Sequence, residues 1–274
     1  MSTALSKTQT LVPCIILFLV VFGIWQAYDL ILANFSLPAL LISIMTDFII
    51  YAVCIAIFAL FVKLGKSSFK EHGFKKPSNP KKSILLSISF ALLYIIIMLM
   101  PGFLFGFGQK PSPNLSFIIF STSRAILISL TTESIFRGYI FRNLTKNYGF
   151  FTSLYASSIM FSLYGYEYPI SIINLLNMSS DEIIRGIIFQ QILPAFIAGL
   201  FLAFMFYKMD WSLLGPTIFC ISTLLFFYFT PITANSPWWT GLTFELMTYA
   251  CLIVIVDSAI KEPLYRRKKY GLES

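Results

Sequence analysis

The chain has 274 residues, of which 57% are hydrophobic and 12% charged, with a mean hydropathy of +0.80. A soluble domain carries roughly 25% charged residues, so this composition excludes an ordinary soluble enzyme and places the chain among polytopic membrane proteins. The net charge of +8 does not indicate a nucleic-acid partner, because the basic residues gather between apolar runs, the pattern that sets membrane topology.

A transmembrane helix needs about 20 mostly apolar residues. Eight segments are read as spans: 11–33, 38–62, 83–107, 115–141, 149–164, 184–207, 212–231 and 240–260. The expected fold is an all-α, polytopic membrane bundle of about eight transmembrane helices. Residues 1–114 would carry the first three helices with a basic loop at 63–82, residues 115–231 a four-helix core, and residues 232–274 the last helix and a basic tail. The first run has a weak basic start, a long apolar core and no small-x-small cleavage site, and is read as an uncleaved helix.

Charge placement orients the bundle. The 63–82 loop holds Lys63, Lys66, Lys70, Lys75, Lys76, Lys81 and Lys82; Lys7, Arg142, Lys146, Lys208, Lys261 and Arg266 to Lys269 fall on the same side. The opposite loops hold Lys110 and Arg185. Both termini are therefore expected in the cytoplasm, with the chain in the cell membrane. The single histidine, His72, is expected to be solvated in the lysine-rich loop. Trp238, Trp239, Tyr148 and Tyr207 suit an interfacial aromatic belt. Cys14, Cys54, Cys220 and Cys251 each lie in an apolar run without close spacing. That pattern favours helix packing over a disulfide framework or a zinc site, and no metal or other cofactor is expected.

The stretch "TTESIFRGYIFRNL" at 131–144 puts two charges where charges are expensive. Glu133 and Arg137, four residues apart, share one helix face. In lipid neither would be tolerated alone, so an internal salt bridge facing the bundle interior is expected. The pair by itself is equally compatible with chemistry and with a brace for the fourth helix.

These residues resemble the first motif of the CPBP family, membrane proteases related to the CAAX prenyl endopeptidases and to bacteriocin-processing and immunity proteins. Glu133 matches the second glutamate of that motif, Arg137 its arginine, Gly138 its glycine and Leu144 the later apolar position. The stretch "AFIAGLFLAFMFYKMDWSLLGP" at 195–216 is similar to a later family helix and the Ser-Leu-x-x-Pro start of the next. Within it Gly199 and Ala203 form a small-xxx-small ridge that permits close helix approach. The resemblance spans roughly residues 115–230.

What it implies about activity is qualified by departures. The family's chemistry uses the first motif glutamate as general base for water, with two histidines and an asparagine on later helices. Here Thr132 stands at that glutamate, Gly165 at the first histidine after Phe161, Cys220 at the second histidine, and Leu224 near the asparagine. One histidine in the whole chain cannot supply a pair. Ion-paired with Arg137, Glu133 would be a poor replacement base.

The expected function is thus a non-catalytic scaffold, regulator or immunity protein within the bilayer. Its partner would be a membrane protein, a prenylated or peptide-like ligand, or a peptide toxin. The alternatives are an active intramembrane endopeptidase using Glu133, and a small-solute transporter using intramembrane acids. Asp47 and Glu245 are the candidates for a polar cavity, whereas Arg124 and Asp257 are expected to snorkel to the two interfaces.

Overall fold

The computed structural model describes residues 7–34, 45–109, 115–164, 178–180, 183–230, 232–234 and 238–259. Every apolar segment of the sequence becomes helix among these residues, the outcome expected where backbone polar groups must be satisfied within the chain itself. The first helix is α1 (Lys7–Asn34). A π-helical stretch, Met45–Ile50, leads into α2 (Tyr51–Leu64). Helix α3 (Pro80–Phe105) starts where the Asn79 side chain accepts from the Lys82 amide at 3.1 Å, with Pro80 in the first turn, a strong start signal.

Helix α4 (Leu115–Thr132) runs without a break into a second π-helical stretch, Glu133–Phe141, and then into α5 (Arg142–Tyr148). Helix α6 (Phe150–Tyr164) follows. A third π-helical stretch, Ile183–Ile192, enters α7 (Leu193–Lys208) beside Pro194. Helices α8 (Leu214–Phe229) and α9 (Trp238–Ala259) complete the described chain. Among the described residues, three helical segments are long and apolar enough to cross a membrane: Thr8–Tyr28, Pro80–Phe105 and Gly186–Lys208. Phe48–Leu64 and Leu214–Phe229 are shorter apolar helices.

The all-α expectation holds among the described residues, with one short ribbon added. Strands β1 (Phe107–Gln109) and β2 (Ile232–Ala234) pair antiparallel, with Phe107 opposite Ala234 and Gln109 opposite Ile232. Gly106, at φ 90°, ends α3 short of the expected limit at 107. The extended residues that follow need backbone partners, and β2 supplies them.

Helix α3 packs against α8 and α9, α7 against α6 and α9, and α8 also against α4. The core is strongly aromatic. Trp25 donates its indole N–H to the Tyr164 hydroxyl at 2.8 Å and meets Tyr51 edge-on at 5.3 Å, tying α1, α2 and α6 together. Helices α6 and α7 meet closely at Gly199. A Cβ there would lie 3.1 Å from Ser158 Cα and 3.2 Å from a ring carbon of Phe161. Gly199→Ala is expected to destabilise the protein by about 1 kcal/mol through overpacking, read as a lowered unfolding midpoint in mixed detergent micelles.

Candidate functional site

The Glu133–Arg137 pair lies in the π-helical stretch between α4 and α5, where all nine residues from Glu133 to Phe141 are buried. Short π-helical segments are often found at functional sites. Arg137 Nη1 lies 3.3 Å from Glu133 Oε1, and the two side chains are 1% and 0% exposed. The guanidinium carbon sits 4.0 Å from the centre of the Phe161 ring on α6, a cation–π contact strengthened by burial. The ion pair is not an aligned hydrogen bond. Glu133 Oε2 and Arg137 Nη2 find no hydrogen-bond partner among the described residues. The pair is therefore held by charge and by Phe161.

The side chains at the departing motif positions are occupied elsewhere or chemically mute. Thr132 donates its hydroxyl to the Ile128 carbonyl at 2.8 Å, the local back-bond that a threonine makes inside a helix. Cys220, on α8, lies with its sulfur 3.8 Å from Glu133 Oε1, so a weak thiol donor faces the carboxylate. Leu224, one turn further along α8, is buried and offers no polar atom. Gly165 lies outside the described residues. Asp47 falls in the stretch Met45–Ile50, and its side chain lies outside them as well.

Glu245, on α9, accepts a hydrogen bond from the Tyr94 hydroxyl of α3 at 3.3 Å. The Tyr94 ring packs at 5.1 Å against Tyr249 and at 5.9 Å against Phe219, which precedes Cys220 on α8. The fold thus brings Glu245 into the same interior as the Glu133 pair. Sequence reasoning singled out Glu245 but missed Tyr94, a hydroxyl within an otherwise apolar helix stretch, which was the available signal. The other two charges behave differently. Asp257 pairs with Lys208 at 2.7 Å, and the Arg124 guanidinium carbon lies 5.7 Å from the centre of the Tyr228 ring.

Two expectations are overturned. Tyr207 is buried, packed 4.4 Å from Phe150 and 5.2 Å from Trp211, rather than standing in an interfacial belt. His72 is not solvated but fully buried. The connection from α2 to α3 folds back so that His72 Nδ1 lies 2.9 Å from the Gly138 carbonyl. A carbonyl only accepts, so Nδ1 carries a proton; in the neutral ring Nε2 accepts from the Ser67 hydroxyl at 2.7 Å, which also lies 3.1 Å from the Val62 carbonyl. The ring stacks on Tyr139 at 5.1 Å. Burial moves its pKa below the ordinary value, and the nearby Lys146 and Arg142 charges act in the same direction.

The approach also explains Gly138: a Cβ there would stand 2.6 Å from the His72 carbonyl oxygen. Further along, the Leu213 amide donates to the Gly73 carbonyl at 3.0 Å and the Ser212 hydroxyl to that of Lys75 at 2.8 Å. The loop is thereby pinned to the α7–α8 turn as well as to the motif.

Residues 113–226 match the family model for type II CAAX prenyl endopeptidase Rce1-like proteins. No curated protein matches the chain. The matched stretch contains Glu133, Arg137, Phe161, Gly199, Cys220 and Leu224, so the CPBP resemblance read from those residues is carried by a family model over nearly the same span.

Proposed function

We propose that this protein is a catalytically degenerate CPBP-like membrane protein that works by binding. It spans the cell membrane about eight times with both termini in the cytoplasm, a topology supported by the concentration of lysines and arginines on one side. Its core is residues 115–231, flanked by the helices of 1–114 and 232–274. The Glu133–Arg137 pair braces the motif helix, and the polar interior it shares with Glu245 faces a membrane-protein or peptide partner.

One observation carries the reading: the groups that would activate water are replaced around a retained carboxylate. The Thr132 hydroxyl is engaged by its own helix at 2.8 Å, and the group on α8 that faces Glu133 is a thiol at 3.8 Å. Neither is the glutamate or the histidine on which the family's water-activating chemistry relies.

A second reading is favoured by a specific feature. Glu133 Oε2 has no hydrogen-bond partner among the described residues, which leaves an oxygen for a water in an active endopeptidase. One assay separates the two. Purified protein incubated with a prenylated CAAX-type peptide, and separately with a leader peptide, is expected to leave both intact. Cleavage by wild type that disappears in Glu133→Gln would overturn the binding reading and establish the enzyme.

A further inference from the structure

A groove of about 510 Å³ runs along the C-terminal half of α2. Ala56, Ala59, Leu60 and Phe69 supply its apolar wall, and Lys63 and Ser67 its polar end. The wall faces outwards: Leu60 is 50% and Phe69 47% exposed. The polar end is basic. Lys66 and Lys70, in the turn that follows α2, are exposed alongside Lys63. The one acidic residue of that turn, Glu71, is itself exposed and is engaged by Ser68, accepting from its amide at 3.3 Å and its hydroxyl at 3.0 Å, so Lys63, Lys66 and Lys70 outnumber it. An apolar slot ending in net positive charge is thus placed where an apolar helix meets its basic loop.

We infer that this groove binds an anionic phospholipid, with the headgroup phosphate on Lys63 and an acyl chain along Ala56 to Leu60. Charge complementarity selects this occupant. Basic clusters beside a membrane helix recognise anionic headgroups, while the apolar wall takes hydrocarbon. Ser67 gives the site a route inwards, because its hydroxyl lies 2.7 Å from His72 Nε2 and His72 in turn holds the Gly138 carbonyl beside Arg137. A headgroup at the groove's polar end therefore touches the same chain of contacts that clamps the motif helix.

The test uses the full-length protein in detergent, titrated with phosphatidylglycerol or with phosphatidylcholine of the same acyl chains, and bound lipid counted by native mass spectrometry. Phosphatidylglycerol is expected to bind at least fivefold more tightly than phosphatidylcholine. Lys63→Gln, an exposed substitution, should lower the phosphatidylglycerol affinity about fivefold, the effect of one basic residue near an anionic surface. Ala59→Phe should weaken both lipids by filling the slot, and Lys82→Gln, in the first turn of α3 and outside the groove, should change neither. Equal affinity of the two lipids for wild type would overturn the site. So would a Lys63→Gln protein indistinguishable from Lys82→Gln, or an Ala59→Phe protein that binds both as wild type does. None of these readouts depends on proteolysis or on a partner, so they stand whichever way the peptide assay falls.

Discussion

Arg137→Met is expected to destabilise the protein by about 3–5 kcal/mol, the usual consequence of removing one partner of a buried ion pair and leaving the other charge uncompensated. Glu133 is 0% exposed and its nearest cation is Arg137 Nη1 at 3.3 Å. Among the described residues that oxygen also meets the Cys220 thiol at 3.8 Å, too weak a donor to hold a bare carboxylate. Arg137→Met also removes the contact with Phe161 at 4.0 Å.

The double variant Glu133→Leu, Arg137→Met should recover most of the loss, because it buries two apolar side chains where two imperfectly satisfied charges stood. Reversible unfolding in mixed detergent micelles measures both. A single variant as stable as wild type would end the brace reading. Recovery of stability in the double variant without recovery of cellular function would show that the pair does more than hold the helix.

The helices were legible because hydropathy writes them directly: Leu11 to Leu32 or Leu214 to Phe229 have nowhere else to go in a membrane protein. The Glu133–Arg137 pairing was legible from spacing alone, and Phe161 from its place in the resemblance, although nothing in the sequence announced that its ring would lie against the guanidinium. The π-helical geometry of Glu133–Phe141 has no compositional signature. The β1–β2 pairing depends on where Gly106 stops α3, a matter of one dihedral angle. His72 was misread because its neighbours in sequence are lysines. A different signal was present: Phe69, Gly73 and Phe74 surround it, and a merely solvated basic loop has no use for two phenylalanines, which here pack on Phe58 at 6.0 and 5.8 Å.

His72→Ala is expected to cost about 2–3 kcal/mol, since it strips the Gly138 carbonyl of its buried donor and removes the ring stacked on Tyr139. The histidine also gives the protein a pH dependence whose sign follows from burial. Desolvation favours the neutral ring, and Lys146 and Arg142 add to it, while the bond to Gly138 and the Glu71 charge oppose it. The net effect lowers the folded-state pKa below the ordinary value of about 6.5. The unfolded chain then takes up its proton first as the pH falls, so this stability is complete above about pH 6.5 and is lost on the acid side.

Unfolding midpoints of wild type should therefore decline between about pH 7 and 5, and His72→Gln should lack that component of the decline. Gly138→Ala should release the same loop from the other side, because its Cβ would press on the His72 carbonyl at 2.6 Å. An acid-side decline in His72→Gln as steep as in wild type would show that some other group titrates. Shared behaviour of His72→Ala and Gly138→Ala, each increasing protease access to the 65–79 loop, would instead establish one clamp: a basic loop closed over the motif helix by a single imidazole.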